Sequence, residues 1–218
     1  MSKKDANSSG QQPLQRKSKM CVVTPEQAKH LLNAAQDHPL EALVTVALTT
    51  GLRRGELLGL QWQDIDVEHA ILHVSRIVSP MGKIETAAIA RIIALPKIAL
   101  DALKKQRSCQ EEVQAKASKG WHDLDLIFPN ERGQYLDPGT LQQQSQALFV
   151  AAGLPHMYFH DLRRSTAALL LVMGADGRVV HTILGYRWMS PILSALVPVS
   201  LSMQREVMQK WDDLLLEE

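Results

Sequence analysis

The chain has 218 residues, and its hydrophobic content of 45% is ample for one sizeable buried core. Its two cysteines form neither a disulfide framework nor a metal-ligand spacing, and no apolar run approaches the roughly 20 residues that span a bilayer. The formal net charge of +1 argues against a strongly basic coat, so any affinity for nucleic acid has to come from a local patch.

The first 21 residues differ in composition from the rest of the chain. They are polar and rich in Ser, Gln and Lys, and they carry neither a periodic apolar pattern nor the apolar segment of a secretion signal. We therefore predict a disordered leader over 1–21, a single folded domain over 22–218, and a cytoplasmic protein without membrane contact. The basic residues of the leader fit either a solvated end or an arm that contacts nucleic acid.

Helical patterns account for most of the folded domain. Thr24, Pro25 and Gln27 supply an N-cap, a first-turn proline and a capping-box glutamine, so a helix is expected to begin there. Gly51 is expected to end the second helix. The predicted helices cover residues 25–36, 40–50, 54–60, 97–118, 137–152, 160–173, 178–184 and 200–216, and the segment 190–195 has an ambiguous pattern.

Two further runs favour strands. Residues 70–78 alternate and are rich in β-branched side chains, residues 80–83 supply a turn, and residues 91–95 form a second β-rich run. A short strand is also expected over 127–130. The predicted fold class is therefore mainly α with a small antiparallel β-sheet, an α+β arrangement.

Two arginine-containing segments stand far apart in the chain. Residues 50–58 read Thr-Gly-Leu-Arg-Arg-Gly-Glu-Leu-Leu, and residues 160–164 read His-Asp-Leu-Arg-Arg. These segments resemble the first and second arginine boxes of tyrosine recombinases, the family of the phage integrases, and the hairpin, long helix and Phe-Pro-Asn turn between them follow the same order. The resemblance covers about residues 22–210 and implies the catalytic-domain fold of that family.

The resemblance also implies roles for individual side chains. Tyrosine recombinases cut DNA by attack of a phenolic oxygen on a phosphodiester, and forked guanidiniums stabilise the negative charge on the phosphoryl oxygens. Arg53 and Arg163 would then bind the scissile phosphate. His160, three residues before Arg163 on one helix face, would assist proton transfer or donate to the phosphate. Glu56 would support Arg53, and the resemblance implies neither a metal nor a cofactor.

The hairpin departs from the family pattern. The family carries a catalytic lysine there, followed by a threonine, an arginine and a strand end of the type Ile-x-Leu-Pro. In that frame Glu85 stands at the lysine position, and a carboxylate repels phosphate and cannot act as the cationic proton donor. Lys83 lies two residues earlier, so a shifted hairpin could still supply an ammonium, although loss of the lysine is the simpler reading.

Two more departures follow the second box. Tyr186 comes after a Leu-Gly pair where the family usually has a histidine or tryptophan that donates to the phosphate, and a phenol can still donate. Leu196 stands where the family has its nucleophilic tyrosine, and leucine has no nucleophilic atom. Pro191 and Pro198 disfavour the usual helix there. Tyr186 is the only tyrosine after the second box, and it would have to move to replace the nucleophile.

The resemblance suggests binding partners as well. These recombinases close around DNA with a separate N-terminal core-binding domain, and we expect that domain to be absent because only the short leader precedes residue 22. Double-stranded DNA is therefore the expected partner, bound weakly at physiological salt. An apolar stripe over 203–216 resembles the terminal helix that docks on a neighbour in the family, so it fits a homo-oligomer, a hetero-oligomer or docking in cis.

Three functions remain open. The favoured one is a degenerate DNA-binding protein of recombination or integration, of the kind found in mobile genetic elements, which does not cleave DNA. The second is an active enzyme, either a recombinase with a displaced nucleophile or a phosphodiesterase that activates water. The third is a noncatalytic subunit or remnant that pairs with an intact recombinase.

Overall fold

The computed structural model describes residues 21–79, 81–117, 120–186 and 198–216. Within these ranges the predicted mainly helical fold with one small antiparallel sheet is confirmed. The helices are α1 (Pro25–Ala35), α2 (Glu41–Thr50), α3 (Arg54–Leu58), α4 (Lys97–Ala117), α5 (Pro138–Ala151), α6 (Phe159–Val172), α7 (Gly177–Leu184) and α8 (Leu201–Leu216). The strands are β1 (Ile65–Asp66), β2 (Ile71–Val78) and β3 (Ile84–Ala94). The predicted leader up to residue 20, the segment 190–195 and Leu196 lie outside the described residues.

The first helix begins at the predicted capping box. The Thr24 hydroxyl accepts from the Gln27 backbone N–H at 3.3 Å, and the Gln27 side chain accepts from the Thr24 backbone N–H at 2.9 Å. Both bonds satisfy donors that the first helical turn leaves without a partner. The sequence signal therefore located this end of α1 correctly.

Helix α2 forms the centre of the core and positions both arginine boxes. All of its residues from 42 to 50 are buried, and Thr166 of α6 donates a 2.7 Å hydrogen bond to the Leu48 carbonyl. The helix ends at Gly51, whose φ of 62° is left-handed. A Cβ at Gly51 would lie 2.3 Å from Leu184 Cδ2. Glycine is therefore required both by the backbone conformation and by the close approach of the end of α7.

The sheet has the order β1-β2-β3, and all pairings are antiparallel. Strand β3 begins at Ile84, seven residues before the strand predicted over 91–95. The prediction was too short because most side chains in the first part of β3 are exposed and small or polar, which gives little apolar alternation. A β-bulge interrupts the ladder between Val74 and Arg76.

The short strand predicted over 127–130 is wrong. This stretch takes part only in isolated bridges, with Pro129 opposite Tyr135 and, nearby, Leu126 opposite Gln61. Proline has no backbone N–H, so a ladder cannot continue regularly through Pro129. The segment is a loop that packs against the end of α3 instead, since the Ile127 N–H donates to the Leu60 carbonyl at 3.0 Å.

Helix α8 packs in cis on β3 and α4. The Gln204 side chain accepts from the Ala94 N–H at 3.1 Å and donates to the Ile92 carbonyl at 3.3 Å. The Asp212 carboxylate accepts from the first two backbone N–H groups of α4, at 2.8 and 2.9 Å, and Trp211 is fully buried. The apolar stripe of this helix is thus covered by its own chain. None of the helices in the described ranges is long and apolar enough to cross a membrane.

Candidate functional site

Arg53 lies at the start of α3 and donates three hydrogen bonds. Its Nη1 donates to Glu56 Oε1 at 2.9 Å, and its Nη2 donates to the Gly185 carbonyl at 2.9 Å. Its backbone N–H also donates to Glu56 Oε2 at 2.8 Å. The expected support of Arg53 by Glu56 is therefore present, and 43% of the Arg53 side chain remains exposed.

Arg163 on α6 also binds a backbone carbonyl at the C-terminal end of α7. Its Nη1 donates to the Gly51 carbonyl at 2.6 Å, and its Nη2 donates to the Leu184 carbonyl at 2.7 Å. Leu184 and Gly185 are the last residue and the cap of α7. Because carbonyl groups at the C-terminal end of a helix carry partial negative charge, they favour cations. The structure thus brings the two arginines, 110 positions apart in sequence, to adjacent carbonyls.

Arg91 is a third arginine at this site, and the sequence reasoning assigned it no role. Its Nη1 and Nη2 donate to the two carboxylate oxygens of Glu56 at 3.0 and 2.9 Å. Its Nε donates to the Ile183 carbonyl at 2.7 Å. One signal could have revealed it, because an arginine inside an otherwise apolar β-rich run is rarely buried without an acidic partner. Glu56 is that partner.

The electrostatics of the site favour an anion. Burial alone would raise the pKa of Glu56, but hydrogen bonds and positive charge from Arg91 and Arg53 hold it below its ordinary value. Two effects lower the pKa of Arg163 to about 10: burial is the larger, and repulsion from Arg53 adds to it. Glu56 is therefore ionised and Arg163 cationic at neutral pH. Arg53 and Arg91 both pair with the Glu56 carboxylate, whereas Arg163 donates only to backbone carbonyls. The three guanidiniums therefore outnumber the one carboxylate, and positive charge remains available to a phosphate.

Tyr186 lies directly against this cluster. The guanidinium carbon of Arg163 is 4.8 Å from the centre of the Tyr186 ring, and the Tyr186 and His181 rings are 5.6 Å apart between centroids. The Tyr186 ring is partly exposed. Of the predicted site residues, the described structure thus brings Arg53, Arg163 and Tyr186 together.

His160 does not contact the arginines in the described part of the chain. Its Nε2 lies 3.3 Å from Asp161 Oδ1, and its ring stacks on Tyr158 with 6.1 Å between centroids. The side chain is 59% exposed. It lies on α6 three positions before Arg163.

The hairpin carries Arg91 to the arginine cluster, whereas Glu85 makes no hydrogen bond or ion pair with that cluster among the described residues. Glu85 lies in β3 opposite Ile77 and is exposed, and Lys83 lies exposed at the turn. The third departure, Leu196, is outside the described residues. Across the ranges that the structure describes, no group of three or more His, Cys, Asp or Glu side chains could hold a metal ion.

Comparison with known proteins adds independent information. A family model described as the phage integrase family matches residues 22–192. The chain is 28% identical over 213 residues to a XerC-like tyrosine recombinase of Caldanaerobacter subterraneus subsp. tengcongensis, which covers 89% of this chain and 54% of that protein. It is 29% identical over 220 residues to the ICEBs1 integrase of Bacillus subtilis, covering 93% of this chain and 57% of that protein. The chain thus spans about half the length of these relatives.

Solved structures show the same fold. The crystal structure of XerA recombinase superposes with a TM-score of 0.65 at 25% identity, over 88% of this chain and 66% of that chain. The Tn1549 transposon integrase, solved in complex with transposon right end DNA, superposes with a TM-score of 0.67 at 18% identity, again over 88% and 66%.

Proposed function

The chain belongs to the phage integrase family, and from this premise we propose that it binds the backbone of double-stranded DNA without forming a covalent bond to it. The observation that carries the proposal is the convergence of Arg53 and Arg163 on the Gly185 and Leu184 carbonyls. Solved relatives with this fold include an integrase in complex with DNA, which supports DNA as the partner. The names of the relatives, an ICEBs1 integrase and a transposon integrase, support a role in DNA integration by a mobile element.

The two arginines retain the donors that phosphate binding needs. A guanidinium has five N–H donors, and the contacts of Arg53 and of Arg163 to the described chain use two guanidinium bonds each. The bonds to fixed carbonyls hold both forks in place. A phosphate oxygen that approaches Arg53 then meets an oriented, partly exposed cation, which lowers the entropic cost of binding.

Two substitutions support the absence of covalent chemistry. By the sequence resemblance Glu85 stands at the position of the family's lysine, and its side chain is exposed on β3. Leu196 occupies the position of the nucleophilic tyrosine in the sequence. Neither side chain can perform the step required there, because a leucine cannot attack phosphorus and an ionised carboxylate cannot protonate a leaving oxygen.

Binding is tested with a labelled DNA duplex by fluorescence anisotropy at several salt concentrations. Arg53→Met and Arg163→Met should each weaken binding by about tenfold and make it less dependent on salt. Arg107→Met is the matched control, since Arg107 lies on α4 over the Trp62 ring. If the wild type and the three variants bound DNA with equal affinity, the proposed role of Arg53 and Arg163 would be refuted.

The noncovalent part of the proposal is tested on denaturing gels. The wild-type chain should leave no protein attached to a nicked or intact DNA strand. The triple variant Glu85→Lys, Tyr186→His, Leu196→Tyr restores the family's residues and should give a covalent adduct. An adduct with the wild-type chain would contradict the proposal directly.

A second candidate function follows from the contact of Tyr186 with Arg163. Here the Tyr186 phenolic oxygen would form the new bond to phosphorus as the bond to a deoxyribose oxygen breaks, and His181 would accept the phenolic proton and pass it to that leaving oxygen. A supercoiled-plasmid relaxation assay separates the two functions. Relaxation that Tyr186→Phe abolishes favours cleavage, whereas an untouched plasmid favours binding alone.

A further inference from the structure

Arg91 is almost completely buried although it carries a charge, with 5% of its side chain exposed. It joins three parts of the fold, because it lies on β3, pairs with Glu56 of α3 and donates to the Ile183 carbonyl of α7. It also packs closely on Gly185, where a Cβ would lie 2.8 Å from Arg91 Nη1. Its position is thus fixed from several sides.

Arg91 and Arg53 share the same carboxylate. Glu56 Oε1 accepts from the Nη1 atoms of both arginines, at 3.0 Å from Arg91 and 2.9 Å from Arg53. Glu56 Oε2 accepts from Arg91 Nη2 at 2.9 Å and from the Arg53 backbone at 2.8 Å. If Arg91 were absent, the single negative charge of Glu56 would be balanced by Arg53 alone.

We infer that Arg91 is a positioning residue that neutralises Glu56. The positive charge of Arg53 is then not compensated by Glu56 and is available to the DNA phosphate. The inference rests on the proposed function, since it concerns the same phosphate-binding arginines. Without Arg91, an approaching phosphate would meet an Arg53–Glu56 pair with no net charge. The buried carboxylate would also repel the phosphate, because charges in a site of low dielectric are weakly screened.

The test restores the charge balance without restoring the ion pair. Arg91→Met leaves Arg53 alone to balance the negative charge of Glu56, and Arg91→Met/Glu56→Gln removes that negative charge. A matched pair exists on the neighbouring strand, where Arg76 of β2 pairs with Asp64 at 2.8 Å. Arg76→Met and Arg76→Met/Asp64→Asn therefore control for the general loss of a partly buried ion pair.

DNA affinity is measured by anisotropy with the same labelled duplex. We expect Arg91→Met to bind about tenfold more weakly than the wild type, and the double variant to recover to within about threefold. Both Arg76 variants should bind like the wild type. A purely structural role predicts the opposite order, with the double variant no better than the single one, and that result would overturn the inference.

A second measurement is made without DNA, so that the inference and the proposed function can fail separately. The Nε–Hε NMR signal of Arg53 should shift or broaden in Arg91→Met and return toward its wild-type position in the double variant. A wild-type chain that binds no duplex but shows this NMR pattern would refute the proposed function and support the inference. An Arg53 signal that is insensitive to Arg91→Met would overturn the inference even if DNA binds.

Arg91→Lys keeps the test valid if Arg91→Met does not fold. A lysine retains the charge but cannot form the two-pronged bond to Glu56. Arg91→Lys and the double variant are both balanced in charge, so each should bind DNA within about threefold of the wild type. A loss of tenfold or more in either protein would show that the shape of the arginine, rather than its charge, is what matters.

Discussion

The guanidinium of Arg163 packs on the ring of Tyr186, with 4.8 Å between Arg163 Cζ and the ring centre. The Leu184 carbonyl, two residues before Tyr186, accepts from Arg163 Nη2 at the same time. One arginine therefore fixes both the last residue of α7 and the aromatic ring that follows the helix. The ring shields one face of a partly buried cation, so removal of the ring should lower the free energy of unfolding.

Tyr186→Ala is expected to lower the free energy of unfolding by about 1–2 kcal/mol, and Tyr186→Phe by less than about 0.5 kcal/mol, because phenylalanine keeps the ring. Urea denaturation measures both. Tyr158→Ala is the control, since that ring stacks on His160 without an arginine. If Tyr186→Phe proved as destabilising as Tyr186→Ala, the hydroxyl rather than the ring would be the important group.

Gly51→Ala is expected to destabilise the protein by about 3 kcal/mol. The cost combines a left-handed φ of 62° with overlap of the new Cβ on Leu184, 2.3 Å away. Gly82→Ala separates the two contributions, since its φ is 73° and no atom lies within 4 Å of its Cβ. This control should cost only about 1 kcal/mol in thermal or urea unfolding. Similar losses at the two positions would argue against close packing at Gly51.

Asp212→Ala is expected to cost about 1–2 kcal/mol because the carboxylate caps the first two N–H groups of α4. Asp213→Ala is a neighbouring control, since Asp213 is exposed and contacts only Gln209 among described residues. Urea unfolding at several protein concentrations measures the effect. Midpoints that rise with concentration in the wild type but not in Asp212→Ala would contradict a purely intramolecular role of this cap.

The ion pair of Glu56 predicts a dependence of stability on pH. The pKa of Glu56 in the folded protein lies below its ordinary value of 4.5, so its stabilising contribution is fully present above 4.5 and is lost as pH falls through the folded value. The stability difference between the wild type and Glu56→Gln should therefore be constant above about pH 4.5 and shrink as the pH falls below it. Urea unfolding on both sides of about pH 4.5 measures this difference, and a difference that stays constant on acidification would contradict the assignment.

The local sequence was sufficient to predict most helices. The Thr24 capping box and the turn at Gly51 are short-range signals, and each helix end lies where its signal stands. Strand β3 was harder, because the part of it that begins at Ile84 is exposed on most positions and carries no alternating pattern. The stretch around Pro129 has strand-like composition, but it forms only isolated bridges.

The site was predictable only where the resemblance supplied both partners. Arg53 and Arg163 were identified from their boxes, and their meeting point at the end of α7 follows from the fold. Arg91 could not be assigned in this way, because its role depends on a contact with Glu56 that is 35 positions away in sequence. The environment of His160, exposed beside Tyr158, likewise follows from tertiary packing that no local pattern encodes.

The Gln204 side chain hydrogen-bonds to two backbone groups on the unpaired edge of β3, the N–H of Ala94 and the carbonyl of Ile92. Unprotected groups of that kind recruit strands from other molecules, and this is a common route to aggregation. Helix α8 therefore acts as a cover that keeps β3 from pairing between molecules. A chain lacking α8 would be expected to precipitate through strand addition even if its arginine cluster were intact.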